Sequence, residues 1–584
     1  MLARLFRADA PSVHAHLAWE DLPDEALPTP PLRDGLGEAH LPVSTRVPLA
    51  QAYFDQGLRL LHLGWALEAR RAFAEAARQD PSLAMAWWGL ALARGVGQRF
   101  TADRAEAIRK ALTLAEGATD LEQRLVVAAS LLADKGPANG RHAFVREMES
   151  LIDRFPQEPE PRLLLAGFLL DGYESDGRPG QGQPYAQMLL RDLLRTHPNH
   201  AGVHVAWVQA WLPSSRPETA LESAERLPLL VPAGSPALLA AGRLLLRMGR
   251  AAEANRILET AVTADDAYVA RESLPLEVAP SADAALRLLS EACVEVGQYR
   301  GAQAWARKLR QRVEASGGQP QAVLFAATTL VAAHLRFGFS RAAAEVPMEL
   351  GDSATVAEAG LRDGVRLYAR GVCALETGRL GDVERACGTL DALVLTLSEA
   401  PRSEGRALCP RDVARTVEVA AQELRGTLDA RRGDSGRAEA TLTRALRLER
   451  RLRPVGPALF CRPPRETLAR VRLRSGREEK ALELALERAG ERPGCGHCML
   501  LVAEAHVACE CMSEAAHDFA VVLDLWRDAD PHLPGLQRAR GFSAHRAGRG
   551  RAALRRVPDA PVDTAPPPRG GPKGTEPTWT VHGR

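Results

Sequence analysis

The chain has 584 residues, 46% apolar and 25% charged, with 75 Lys and Arg against 73 Asp and Glu for a net charge of +2. That length exceeds one compact core, the apolar share is enough to fold most of it, and the near-neutral balance excludes a global pull toward nucleic acid or anionic lipid. Only five of the basic residues are Lys. An Arg excess beside so much Ala points to a GC-rich coding sequence rather than a phosphate reader, which needs its Arg on one face.

In chain order, the opening MLARLFRADAPSVHAHLAW carries Arg4 and Arg7 but no apolar stretch of signal-peptide length, and nowhere do ~18 uncharged apolar residues run together. A soluble, cytoplasmic protein without membrane contact is expected. The nine cysteines agree, being odd in number and often single within helical patterns, as Cys293, Cys373 and Cys387 are. Residues 1–46 are Pro-rich and weakly periodic and read as an extended lead-in that can lie against the first helices.

From residue 47 to 540 the pattern is helix after helix, broken at Pro81, Gly136–Gly140, the loop Gly172–Pro184, Pro213, Gly249, Gly297, Gly378, Gly433 and Gly476 among others. No long segment alternates with period two, so the chain is all-α. Within Tyr53–Leu92, the residues Tyr53, Gly57, Leu60, Gly64, Ala69, Phe73, Ala76 and Pro81 sit at the spacings of one tetratricopeptide repeat (TPR). Trp87, Leu90 and Ala91 restart the pattern after ~34 residues. Small residues belong where the two helices of a hairpin cross, and aromatic ones between hairpins. The spacing Gly-x6-Gly-x4-Ala returns as Gly242, Gly249, Ala254 and as Gly426, Gly433, Ala438. The expectation is an α-solenoid of stacked antiparallel helix hairpins, irregular in the middle, where stretches such as 100–230 and 300–360 keep helical periodicity without the signature. Residues 541–584 are rich in Pro, Gly and Arg, hold almost no core formers, and read as a disordered tail.

GLGEAHLPVST at 35–45, followed by AQAYFDQGLRLL, EARRAFAEAARQDP and AMAWWGLALA, resembles the opening block of a family of large bacterial TPR-repeat proteins. DGRPGQGQP at 176–184, HPNHAG at 197–202, RMGR at 247–250 and LWRDAD at 525–530 follow in matching order. The resemblance implies an all-helical solenoid with no established catalytic activity. It also implies histidines in the middle repeats, which suggest a metal or cofactor pocket. This chain has Val205, Gln209 and Arg243 at the aligned places and keeps His200 and His204, too few to carry that role over, and no cofactor is expected.

The sharpest local motif is Cys495–Gly496–His497–Cys498, with Cys509 and Cys511 after it. A Cys-x-x-Cys pair at a helix start can have one thiolate stabilised by the unpaired N–H groups there, and the same four letters occur in disulfide isomerases. The strand–helix–strand context of those redox sites is missing. A zinc site joining Cys498 to Cys509 meets a geometric objection, since eleven helical residues span ~16 Å, far beyond a tetrahedron with ~2.3 Å Zn–S bonds. The competing reading puts Cys511 at the turn position that Gly249 and Gly433 fill elsewhere. Gly177, Gly180 and Gly182 form a plain connection, since they follow a helix and no phosphate-binding lysine comes after them.

The groove remains. The first helix of each hairpin faces the concave side of a stacked array, which nominates Phe54, Leu58, His62, Arg243, Arg247, Tyr368, Val372, Glu376, Glu423, Thr427 and Arg431 as contacts to a protein or peptide partner. For Phe54 and Leu58, core packing is the favoured reading over a groove role. The Lys/Asn pair that grips a C-terminal carboxylate in chaperone-binding repeats is not visible. The sequence therefore reads as a non-enzymatic interaction scaffold with no specific nucleic-acid role. The alternative is a thiol-redox or metal-binding protein using Cys495, His497 and Cys498.

Overall fold

The computed structural model describes residues 23–94, 102–134, 136–174, 177–279, 281–350, 354–401, 408–452 and 460–547. Among these residues every regular element is a helix, and the β-structure amounts to an isolated bridge between Tyr173 and Pro179. The fold is an α-solenoid. No described helix is long and apolar enough to cross a membrane.

Local chemistry sets the helix ends. Pro48–Leu63 begins with Pro in its first turn and stops at Gly64, whose φ of 83° supplies the left-handed cap. The following turn leads into Ala66–Gln79. Pro81 then lies in a turn, and the third helix, Ala84–Ala93, begins three residues later. Val356–Glu376 starts with a capping box, in which Glu358 N–H donates to Thr355 Oγ1 (3.2 Å) and Thr355 N–H to Glu358 Oε2 (2.7 Å). The crossings are as tight as the small residues predict. A Cβ on Gly57 would fall 2.7 Å from the Phe73 ring, on Gly242 2.6 Å from Leu258, and on Gly426 2.6 Å from Leu442.

Two elements differ from the sequence reading. Gly136–Gly140 lies inside the helix Gly136–Arg154 and breaks nothing. Gly140 is there for packing, because a Cβ would sit 2.6 Å from the carbonyl of Leu131 on the preceding helix. The left-handed residue of the late turn is Glu510 (φ 61°), with Cys511 as the next helix's N-cap and Ala515 buried five residues after Glu510. The turn position thus belongs to Glu510, one residue before Cys511. The middle is irregular, with a proline inside Leu221–Leu230 and a five-residue helix at Ser340–Ala344.

The array does not stay open. Pro48–Leu63 packs directly on Ala201–Trp211, so the first hairpin meets one that lies some 140 residues later. Residues 23–46 seal this closure. Leu27, Leu36 and Leu41 are buried, Arg70 Nε donates to Asp24 (2.7 Å), and the Ala233 N–H donates to the Gly35 carbonyl (3.1 Å). The second half closes likewise, where Trp526 Nε1 donates to the Glu295 carbonyl (3.1 Å) and Asp530 N–H to the Gly297 carbonyl (3.1 Å). The two halves touch backbone to backbone where Gly249 meets Pro493 and Gly494. The final helix, Pro534–Ala547, runs past residue 540, and the expected tail beyond 547 lies outside the described residues.

Candidate functional site

Closure changes what the inward face of the first helices can do. Phe54 and Leu58 are 0% exposed, His62 1% and Tyr368 0%, so these four nominated groove residues are core and cannot meet a partner. Val372, Glu423 and Thr427 are buried as well. The register placed them on the correct face, but that face packs against other helices of the same chain instead of opening to solvent. The exposed candidates are Arg247, Glu376 and Arg431, each in the last turn of a first helix, with Arg243 half-buried one turn before Arg247. They form a rim. Arg247 Nη2 donates to the Ser214 carbonyl (2.7 Å), and Glu376 accepts from Ser340 Oγ.

Polar clusters occupy the closed interior. Arg33 and Arg71 share Glu68 (2.6 and 2.7 Å) and Glu272, Tyr268 Oη donates to Glu68 (2.7 Å), and the Arg33 guanidinium lies 4.6 Å from the Tyr268 ring centre. Two cations thus meet two carboxylates, and the lead-in is bound to helices 66–79 and 251–272. In the second half, Tyr368 Oη donates to Glu423 (2.6 Å), Thr467 Oγ1 donates to its other oxygen (2.8 Å), and the Arg462 N–H donates to Tyr368 Oη (3.0 Å). Burial, with Glu423 beside it, holds the Tyr368 phenol protonated far above its ordinary range.

The third cluster is His62, Glu160 and His200. Glu160 begins the Pro159–Leu169 helix, His62 ends the first helix, and His200 is the N-cap of Ala201–Trp211. His62 Nε2 lies 2.9 Å from Glu160 Oε2, and His200 Nε2 lies 3.8 Å from Oε1. Burial alone would raise the Glu160 carboxyl; the two imidazoles overcome that and hold it at about 2.

The cysteine motif begins the Gly496–Ala508 helix, with Cys495 as N-cap. Cys498 Sγ donates to Cys495 Sγ at 3.1 Å, and Arg336 Nη2 lies 3.7 Å from Cys495 Sγ and 3.9 Å from Cys498 Sγ. Arg336 is itself paired with Glu466. The hydrogen bond from Cys498 and the charge of Arg336 pull the Cys495 thiol below the ordinary range, and the same bond pushes Cys498 up. Positions 495 and 498 share a helix face while 497 points elsewhere. His497 accordingly lies against the Phe337 and Trp526 rings, 5.2 and 5.0 Å from their centres, and does not converge with the sulfurs. Gly496 is explained by packing, since a Cβ would meet Trp526 Nε1 at 2.0 Å. Both sulfurs are buried, which closes them to a protein-sized disulfide.

Sequence reading missed Glu160, Arg336, Glu466 and the Glu68 cluster. For Glu68 the sequence carries no signal, because Glu253, Asp382 and Arg437 stand at the same place, four residues after the turn glycines Gly249, Gly378 and Gly433.

No protein-family model matches the sequence, and no curated protein is similar to it. Among solved structures, the chain is similar to a human IFIT1 dimer with m7Gppp-AAAA at 13% identity, covering 83% of this chain and 91% of that one with a TM-score of 0.30. It is also similar to the APC/C hetero-tetramer Cut9-Hcn1 at 12% identity, covering 84% and 76% with a TM-score of 0.31. A third is the P58(IPK) TPR domain, at 14% identity, covering 74% and 100% with a TM-score of 0.20. Superpositions this loose leave the account of the fold to the helices themselves, and nothing these proteins bind passes to this chain.

Proposed function

We propose that this chain is a non-enzymatic interaction scaffold that holds a protein or peptide partner on its rim, working in a reducing cytoplasm. The observation behind this reading is the split among the inward helices: their faces are core, while Arg247 and Arg431 at their last turns stay exposed. The last-turn carbonyls of both helices are taken by their own cap N–H groups, which leaves the guanidiniums to suit a partner with carboxylates to offer. Free thiols at all nine cysteines suit a reducing compartment. The test is quantitative capture with the full chain. Arg247→Glu with Arg431→Glu is expected to cut recovery of the captured partner by about tenfold or more, while Arg385→Glu on an outer helix leaves it unchanged. Equal recovery from all three proteins overturns the rim assignment.

A second reading is favoured by the sulfur geometry alone. A peroxide-class oxidant small enough to enter would be attacked by the Cys495 thiolate, breaking the O–O bond and releasing hydroxide, which leaves as water. Cys498 would then form the S–S bond and release the second water. On this reading, peroxide yields a Cys495–Cys498 disulfide by peptide mass, at a rate nearly flat between pH 6.5 and 8.5, because the lowered thiol is already ionised; an ordinary thiol speeds up about tenfold per unit below its pKa. A steep pH dependence, or no disulfide, removes it.

A further inference from the structure

We infer that His62, Glu160 and His200 form a binding site for a divalent transition-metal cation, with zinc the ion that two imidazoles and a carboxylate suit best. Three helices bring one donor atom each to within 4.8 Å of the others. His62 Nε2 and Glu160 are 2.9 Å apart, and His200 Nε2 and Glu160 3.8 Å. These values bracket the ~3.3 Å edge of a tetrahedron whose donors lie ~2.05 Å from zinc. The third edge, between the imidazole nitrogens, is at most 4.8 Å, so the two rings would close on each other by up to about 1.5 Å to complete it.

The buried nitrogens give the second observation. A neutral imidazole has one donor and one acceptor nitrogen, and burying either without a partner costs free energy. Of the four nitrogens here, His62 Nε2 alone has a hydrogen-bond partner; His62 Nδ1 and both nitrogens of His200 have none. The His62 and Glu160 side chains are 1% exposed and that of His200 8%, so bulk water does not serve them. An ion taking the lone pairs of both Nε2 atoms and a carboxylate oxygen would give His200 Nε2 the partner it lacks and leave each Nδ1 to carry the N–H. His204, one turn along, does not take part: its nitrogens are used by Ser223 Oγ (2.9 Å) and the Pro198 carbonyl (2.8 Å). Gly202 makes the approach possible, because a Cβ there would lie 2.6 Å from His62 Cβ and 3.2 Å from His200 Cε1.

The ion would sit where the first helix closes on Pro159–Leu169 and Ala201–Trp211. There it acts as a clasp on the ring, with its fourth position left for a water. This inference does not depend on the rim.

The test uses the full chain, stripped with a chelator and titrated with Zn²⁺ against a chromogenic competitor and, separately, with Co²⁺. One equivalent of Zn²⁺ should bind and raise the thermal midpoint, and Co²⁺ should give the intense visible bands of four-coordination. His200→Ala and Glu160→Gln should each weaken Zn²⁺ by more than the roughly 10–100-fold that losing an outer partner costs, with helicity unchanged. Cys495→Ser with Cys498→Ser should bind as the unaltered chain does. No stoichiometric Zn²⁺ binding by the unaltered chain overturns the inference, as does binding that survives His200→Ala and is lost with the cysteines.

Discussion

Gly249→Ala is expected to cost about 3 kcal/mol or more and to loosen the contact between the two halves of the chain. Gly249 has φ 76°, and an added Cβ would fall 2.0 Å from the Pro493 carbonyl oxygen, 2.4 Å from its carbon and 2.8 Å from Gly494 N. All three are backbone atoms and cannot swing aside. The 493–494 turn would have to move, and Cys495 follows it directly. Gly433→Ala is the control. It has the same sign of φ (85°) but nothing within 4 Å of the new Cβ, so it should cost only the ~1–2 kcal/mol of a left-handed alanine. Chemical denaturation separates the two, and faster alkylation of Cys495 and Cys498 in Gly249→Ala alone would show that the loss is local to this contact. Equal costs at the two glycines would mean that the close approach does not matter.

Glu466→Gln is expected to destabilise the second half by roughly 3 kcal/mol at neutral pH. The carboxylate is 5% exposed and faces Arg336, at 18%, and Arg488, at 19%, so neutralising it leaves guanidinium charge in the interior without its counter-ion. Burial alone would raise its pKa, but Arg336 foremost and then Arg488 bring it from 4.5 to about 2. A depressed carboxylate contributes stability that is complete above its unfolded value and is lost as pH falls through the folded one. The unaltered chain should therefore lose this contribution between about 4.5 and 2, while Glu466→Gln loses nothing from this site there. Removing the carboxylate also leaves Arg336 acting on the sulfurs alone, which should lower the Cys495 thiol further. A variant as stable as the parent at pH 7 would mean that the pair is not what holds this part of the interior.

Much of the fold was legible because its signals are local. Gly57, Gly242 and Gly426 mark crossings with Phe73, Leu258 and Leu442, all within 16 residues, and the repeat spacing encodes that contact directly. The helix at Gly136–Arg154 was not legible, since Gly and Pro composition argued for a break and packing on the preceding helix overrode it. Phe54 and Leu58 are core, as their favoured reading had it, while His62 and Tyr368 were placed on the right face and given the wrong environment. The pitch of the superhelix comes from small rotations between successive hairpins, and a 34-residue period does not report them. Glu160 and Glu466 were missed for a related reason: their partners His62 and Arg336 lie 98 and 130 residues away.

The fastening of residue 33 to residue 272, and of Glu295 to Trp526, gives this protein a folding problem unlike that of an ordinary repeat array. An open array can nucleate anywhere, grow by neighbours, and gain or lose a unit during evolution with little penalty. Here each half must gather chain segments more than two hundred residues apart before its last buried charges find their partners, so folding is expected to be slower than that of an open array of the same length. Deleting or duplicating one hairpin would put every later element out of step with its mate across the ring, which ties the number of hairpins to the survival of the molecule.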